Sequence, residues 1–353
     1  MARDNAPTTT LHHYRFKSAI ATPTGHHLTI DPTVRYPDDI GADAVLLGTG
    51  QYSQVMSSRD KYTGDQVAIK IILTTPKRTK IDFQRELKIL TKLATLPSSP
   101  IARFCKFLDW FPINDGYCIA FEQYEGTLES VLVDETMPSL ATHQVKEISR
   151  QLIQGVKYLH EHGIAHGDLN PTNVMFVSLA KTRQTYYGLD DEFHHRNILK
   201  KTEIRIIDFG SAGPKGTFRV HDVEERGYSA PEILLYLMPT ETIDHFAIGC
   251  IICEMLTYKP LFPSFGGGRF ETLTIMVRIL GPFTDLMRTR MDDLARPLNP
   301  DVVRFLRNTK RLDKRIEDPD ARRLIVKLTK PDKEKRGDLG VLEKNNFIRI
   351  FEL

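Results

Sequence analysis

Four cysteines in 353 residues are too few to staple the chain together with disulfides. Two of them, Cys250 and Cys253, stand in the apolar stretch FAIGCIICEML. A CxxC spacing there puts both on one helical face, and free cysteine is among the most buried residue types, so they read as core rather than as a redox or metal pair. Long hydrophobic runs are also missing. No stretch approaches the roughly 20 apolar residues that span a bilayer, and the opening MARDNAPTTT lacks the apolar centre of a secretion signal. No membrane partner is expected, and the expected location is nuclear or cytoplasmic. Charge of one sign is scarce as well: the formal balance is +3, with no lysine and arginine block interleaved with aromatics. That excludes the electrostatic outline of a nucleic-acid surface, so no direct nucleic-acid partner is expected. The pairs His12–His13 and His26–His27 have no cysteine or carboxylate at ligand spacing and read as solvated tail.

What is present is apolar material for a sizeable core, 41% hydrophobic against 26% charged residues. The length favours about two packed bodies over one. Residues 1–38 are rich in Thr, Pro and His without sustained periodicity and read as an extension that is poorly ordered or packs on another surface. From Ala44 short β-branched segments, AVLLG, SQVMSS and QVAIKII, alternate with glycine-bearing turns, as in an antiparallel sheet. DFQRELKILTKLAT follows, with Phe83, Leu87, Leu90 and Leu93 at helical spacing, and then strand-like runs at Phe104 to Phe111 and Tyr117 to Phe121. After Gly126 long helices take over. Val145, Ile148, Leu152, Val156 and Leu159 stripe a helix over Thr142 to His162, and Thr242 to Thr257 is apolar on nearly all sides, which suits the middle of a domain. The expected architecture is α+β and bilobal: a small antiparallel-sheet domain with one helix at 39–124 and a larger, mostly helical domain at 125–353, forming a monomer.

Residues with chemistry lie along this frame in a fixed order. In LLGTGQYSQV, Gly48 and Gly50 sit between strands, where a bare backbone can close over phosphates; plain hairpin glycines are the bland alternative. One strand later VAIK ends at Lys70, a cation able to reach phosphate oxygens from an adjacent strand, and Glu86 on the following helix is the carboxylate that would hold it. HGDLNPTN places Asp168 and Asn173 five residues apart in a tight loop directly after the long helix. Asp168 would take the proton of an attacking hydroxyl, and Asn173 would offer a neutral oxygen to a metal. IRIIDFGSA then supplies Asp208, a second metal ligand, and SAPEIL closes the series at Ala230, Pro231 and Glu232.

This ordered set resembles the protein-kinase domain from about Ala44 to Phe347. The resemblance implies ATP and Mg2+ as cofactors. It also implies Phe121 behind the adenine, backbone pairing of the adenine edge with Glu122 and Tyr124, and Val55, Ala68 and Met175 around the ring. It further implies that Asp244 holds the catalytic loop and that Arg336 pairs with Glu232. DFGSA and the RGYSAPE run from Arg226 resemble the group of cyclin-dependent, mitogen-activated and Clk-like kinases. The long segment from Val177 to Asp208 is similar to the hairpin insertion of the Clk-like kinases. ETLTIMVRILGP, Glu271 to Pro282, is similar to the EHLAMMERILGP signature of the LAMMER family, keeping Glu271, Leu273, Met276, Arg278, Ile279, Leu280, Gly281 and Pro282. That branch implies protein substrates, basic Arg/Ser-rich splicing proteins, with Ser/Thr and some tyrosine phosphorylation.

Several positions depart from the family pattern. Ser53 replaces the third glycine of the phosphate loop, Gly167 stands where an arginine commonly precedes the catalytic aspartate, and Ser229 replaces another arginine. Asn170 occupies the place of a lysine that would contact the transferred phosphoryl group. Loss of that cation is expected to slow turnover, and Asn170→Lys to restore about tenfold. Asp222, Glu224 and Glu225, in the stretch before Glu232, are expected to favour basic substrates.

Overall fold

The computed structural model describes residues 19–21, 27–29 and 45–349, the last range without 50–52, 61–62, 74–79, 98, 100–102, 114–115, 137–139, 188–191, 215–226 and 267. The chain forms two compact units, Met1–Thr95 with Cys105–Gln123, and Leu96–Phe104 with Tyr124–Leu353. The uninterrupted 39–124 domain of the sequence reading therefore needs correcting. Leu96–Phe104 belongs to the second unit because it is tied to strand residues there: Ile206 donates its backbone N–H to Arg103 O at 2.7 Å, and Phe104 bridges to Ile206.

In the first unit β1 (Ala19–Ala21) pairs antiparallel with β2 (His27–Thr29), so part of the 1–38 extension is paired strand. The main sheet is antiparallel, with strand order β3-β4-β5-β7-β6 and bounds β3 Leu46–Thr49, β4 Ser53–Arg59, β5 Gln66–Leu73, β6 Phe107–Ile113 and β7 Gly116–Glu122. Pleating sends alternate side chains to opposite faces. One face collects Val67, Ile69, Ile71, Phe111, Cys118 and Ala120 into an apolar cluster. The other carries Ala68 opposite Phe121 and Lys70 opposite both Val55 and Ile119. Helix α1 (Lys80–Thr95) buries Phe83, Glu86, Ile89 and Leu90, whereas the expected Leu87 and Leu93 are only half-buried. A carboxylate has taken a core position of the helix, which apolar periodicity alone cannot reveal.

The second unit begins with β8 (Gly126–Thr127), α2 (Leu128–Val133) and α3 (Thr142–Glu161), whose expected stripe is fully buried. After β9 (Ile164–Ala165) and a 3-10 turn at Pro171–Asn173 comes β10 (Val174–Phe176), the centre of the β13-β10-β8 sheet. The inserted segment is a hairpin, β11 (Lys181–Tyr187) with β12 (Phe193–Leu199), in register from Lys181↔Leu199 to Tyr187↔Phe193. Two α3 glutamines fasten its base: Gln144 donates to Leu199 O and Gln151 to Thr202 O, both at 2.8 Å. Next follow β13 (Ile204–Ile206), β14 (Gly213–Pro214), α4 (Pro231–Leu234) and α5 (Thr242–Thr257). Helix α5 is buried from Ile243 through Cys253, including both cysteines of the CxxC, as a central helix must be. α6 (Gly268–Leu280), α7 (Asp285–Asp292), α8 (Pro300–Asn308), α9 (Pro319–Leu328) and α10 (Leu339–Leu342) complete it. No helix among the described residues is long and apolar enough to cross a membrane.

Candidate active site

Strand β5 and helix α1 bring Lys70 Nζ to 2.6 Å from Glu86 Oε1, with the Glu86 side chain fully buried and that of Lys70 nearly so. A long, flexible ammonium is thereby fixed by a charge-assisted bond in a site that water does not compete for. Val55, Ala68 and Phe121 lie half-buried on the same face of the sheet as Lys70. Glu122, at the end of β7, is also half-buried and stands 3.8 Å from Lys106. Ser53 opens β4, and a Cβ added at Gly48 would meet nothing within 4 Å, leaving room above the backbone for a ligand. Gly50 lies outside the described residues.

In the second unit the loop after β9 is folded by its own side chains. Asn173 Nδ2 donates to Asp168 O at 2.7 Å and to Asp168 Oδ2 at 3.1 Å. Asn170 Nδ2 donates to Asp168 O at 3.1 Å and to Oδ1 at 3.3 Å. Asn170 Oδ1 accepts from Thr172 N at 3.0 Å and from the Thr172 hydroxyl, capping the 3-10 turn. Both asparagines are buried. The expectation for Asn170 changes accordingly: its amide does not stand in for a lysine but is committed to shaping the loop and gripping Asp168. Local Asx chemistry outweighs the family pattern at this position.

Strands β10 and β13 then set Asp208 beside this loop. Val174 pairs with Ile206, and Ile207 N donates to Asn173 O at 2.9 Å, so Asn173 and Asp208 emerge at one end of the ladder. Phe209 is fully buried, its ring 5.1 Å from His166, while Asp208 is exposed at φ 61, a left-handed conformation uncommon for an aspartate and characteristic of functional sites. Met175 is half-buried on β10, and Tyr124 is buried at the start of this unit.

Beneath the loop Asp244, from the first turn of α5, accepts from His166 N at 2.8 Å, Gly167 N at 2.9 Å and His160 Nε2 at 2.8 Å. Burial pushes the Asp244 carboxyl up, but the His160 hydrogen bond and charge, His166 and the Gly167 N–H outweigh it and hold the group below the ordinary aspartate value. His166 in turn donates from Nε2 to Ile207 O at 2.9 Å and accepts at Nδ1 from Asp168 N at 3.3 Å. Gly167 has φ +83, and a Cβ there would come within 2.9 Å of Ser211 O, so the missing arginine is matched by a backbone that disfavours any side chain. At α4, Glu232 receives Arg336 in a bidentate pair, both contacts 2.6 Å and both side chains buried. Asp222, Glu224, Glu225 and Arg226 lie outside the described residues.

Residues 42–348 match the family described as the protein kinase domain. The chain belongs to the protein kinase family. Within it, this kinase domain is 33% identical over 242 residues to the mouse dual specificity protein kinase CLK2, covering 68% of this chain and 47% of that protein. It is 32% identical to the dual specificity protein kinase lkh1 of Schizosaccharomyces pombe, with coverages of 69% and 35%. To the Arabidopsis thaliana serine/threonine-protein kinase AFC2 it is 29% identical, with coverages of 70% and 57%. These relatives place it on the Clk/LAMMER-type branch, and the chain spans about half the length of the curated relatives it matches. A solved crystal structure of a kinase domain superposes with a TM-score of 0.75 over 96% of this chain and 99% of the other, at 20% identity, and so supports the fold.

The kinase residues suit a nucleotide carried with a divalent metal. Among the described residues no group of three or more His, Cys, Asp or Glu forms a self-contained metal cage. Asn173, whose amide nitrogen is turned to Asp168, and the exposed Asp208 carboxylate instead offer hard oxygens in the small number that a hard divalent cation takes from protein when phosphates and waters complete its shell. Sequence reasoning overlooked His160, whose separation of 84 positions from Asp244 hides its part in anchoring that carboxylate. It also overlooked Tyr228, half-buried, whose hydroxyl donates to Glu254 at 2.5 Å. The LAMMER-like segment is structural in its first residue: Glu271 Oε1 accepts from Asn299 N at 2.8 Å, joining α6 to the start of α8.

Proposed function

We propose that this kinase domain transfers the γ-phosphoryl group of Mg-ATP to serine and threonine hydroxyls, and to some tyrosines, of proteins, with basic Arg/Ser-rich splicing factors as targets. The observation that carries the reading is the grip of two amides on the Asp168 carboxylate, in a loop anchored from below by Asp244. A carboxylate so oriented can accept the proton of an incoming hydroxyl without first reorganising. Lys70, steadied by Glu86, is assigned to the α and β phosphate oxygens, and Gly48, Gly50 and Ser53 to the loop covering them. Adenine is assigned to Val55, Ala68, Phe121, Met175 and the backbones of Glu122 and Tyr124. Asn173 and Asp208 are assigned to hold magnesium, which would supply charge neutralisation to the transferring group. The chain is proposed to act as a monomer in the nucleus or cytoplasm.

The second reading is a nucleotide-binding scaffold without turnover, favoured by Asn170, which brings no cation to the loop. A radiolabelled transfer assay on an Arg/Ser-rich peptide and on a neutral protein, with Asp168→Asn as control, decides between them. Label above the Asp168→Asn background, greater on the basic peptide, is expected. Background label together with nucleotide-dependent thermal stabilisation would establish the scaffold instead.

A further inference from the structure

The hairpin of β11 and β12 has two unlike faces, because side chains alternate along each strand. One face carries Gln184, His194 and Arg196, all half-buried, and Tyr186, whose ring stacks on His194 at 5.5 Å with the Arg196 guanidinium 5.0 Å from its centroid. The other carries Arg183, Thr185, Tyr187, Phe193, His195 and Asn197, every one of them exposed. Tyr187 is 59% exposed and Phe193 73%, and their rings meet edge to face at 5.2 Å.

Other described tyrosines are occupied. Tyr124 and Tyr158 are buried, Tyr117 is stacked on Phe83 at 4.0 Å, and the hydroxyls of Tyr228 and Tyr258 are bonded to Glu254 and to the Leu140 N–H. Tyr236 lies in a left-handed turn, at φ 54, with the Arg269 guanidinium 3.9 Å from its ring centroid. Tyr187 alone among the described tyrosines combines an exposed ring, strand backbone and no overlying guanidinium. Length of side chain matters here, because Asp168 is half-buried. A threonine in a paired strand keeps its hydroxyl beside the backbone, and that of Thr185 is bonded to His195 Nδ1 at 2.9 Å, whereas a phenol carries its hydroxyl a ring's length further out. The sheet has only these two strands, and so thin a ribbon gives up its last pair at little cost. Its base is fastened, with Lys181 Nζ 2.8 Å from Asp134 Oδ2 and Gln144 donating to Leu199 O. From Lys181 to Tyr187 the strand rises roughly 20 Å at about 3.3 Å per residue, which displays the ring far from that fastening.

We propose that Tyr187 is a site of autophosphorylation in trans, its phenol entering the active site of a second copy of this kinase, which rests on the tyrosine activity proposed above. The bond from the γ-phosphorus to the bridging oxygen of ATP breaks, a bond from that phosphorus to Tyr187 Oη forms, ADP leaves, and the phenolic proton passes to Asp168 of the second copy and then to water. The acceptor in the test is the full chain bearing Asp168→Asn and a larger tag, the donor is wild type with radiolabelled Mg-ATP, and labelled residues are mapped by mass spectrometry. An Arg/Ser-rich peptide in a parallel reaction reports phosphotransfer itself. Phosphotyrosine at Tyr187 of the acceptor is expected, at an initial rate proportional to the wild-type concentration. Adding Tyr187→Phe to the acceptor, which keeps a ring against Phe193, should remove that phosphotyrosine, and adding Tyr186→Phe should leave it; circular dichroism checks that each acceptor is folded. A labelled peptide with Tyr187 unlabelled, phosphotyrosine confined to Tyr14, Tyr36, Tyr52 or Tyr62, or Tyr187 labelled in wild type but never in the acceptor would overturn the proposal while phosphotransfer to the peptide stands. Label on neither peptide nor acceptor would overturn both.

Discussion

Arg336 offers the sharpest test of what holds the second unit together. Its guanidinium makes two 2.6 Å contacts with Glu232 and donates to Thr242 O, Lys330 O and Pro331 O at 3.1, 2.8 and 3.2 Å. It also lies 5.1 Å from the Phe246 ring centroid. Arg336→Met keeps the apolar stem but strands a buried carboxylate, which costs about 3–5 kcal/mol. The three abandoned carbonyls add about 1 kcal/mol each at most, less if the loop relaxes. A loss of roughly 5 kcal/mol is therefore expected, comparable to the whole stability of many domains. Glu232→Leu with Arg336→Met removes the stranded charge and should recover about 3 kcal/mol, leaving mainly the carbonyl deficit. Equilibrium urea unfolding followed by far-UV circular dichroism measures both. The reasoning fails if the single variant lies within about 1 kcal/mol of wild type, or if the double variant is no more stable than the single.

Lys70→Met should destabilise the first unit by about 3 kcal/mol by leaving Glu86 buried without its cation, and Trp110, the chain's one tryptophan, reports on that unit from β6; an unmoved fluorescence transition would refute this. Asn170→Lys should cost about 1 kcal/mol of stability through loss of the Thr172 cap. It should also lower the single-turnover transfer rate because Asp168 loses an amide, and a tenfold gain would instead restore the charge-based expectation. Burial, then the neighbouring His160 charge, lower the His245 pKa from 6.5 to about 4, against the opposing pull of Asp244 and Glu241. The unfolded chain thus binds more protons between these values, so stability present above pH 6.5 drains away as pH falls towards 4. His245→Phe should flatten that limb of the stability–pH curve, and an unchanged slope would show that the histidine is not its source.

Much of this kinase was legible residue by residue. Alternation of β-branched residues marked the strands that became β4, β5 and β7, and the α3 stripe was complete because a helix against a core repeats every three or four residues. The hairpin insertion was expected from resemblance and is formed by β11 and β12. The α1 stripe was only half right, because Glu86 occupies a position that periodicity reserves for an apolar side chain. Leu96–Phe104 was assigned to the wrong unit because its pairing with Ile206 lies a hundred residues downstream.

Residue chemistry and local order, set within a few positions along the chain, marked a lysine, two aspartates and an asparagine as the candidates for phosphotransfer. Only the tertiary structure decided how they are held. Asp244 meets His166 across 78 positions and Arg336 meets Glu232 across 104; the resemblance implied both contacts, but over such distances the chain carries no local signal, and the further partners His160, Lys330 and Pro331 emerged only in the structure. Asn170 turns on the same distinction: the sequence showed only that it carries no charge, and the structure shows its amide buried and bonded to Thr172 and Asp168 within the loop.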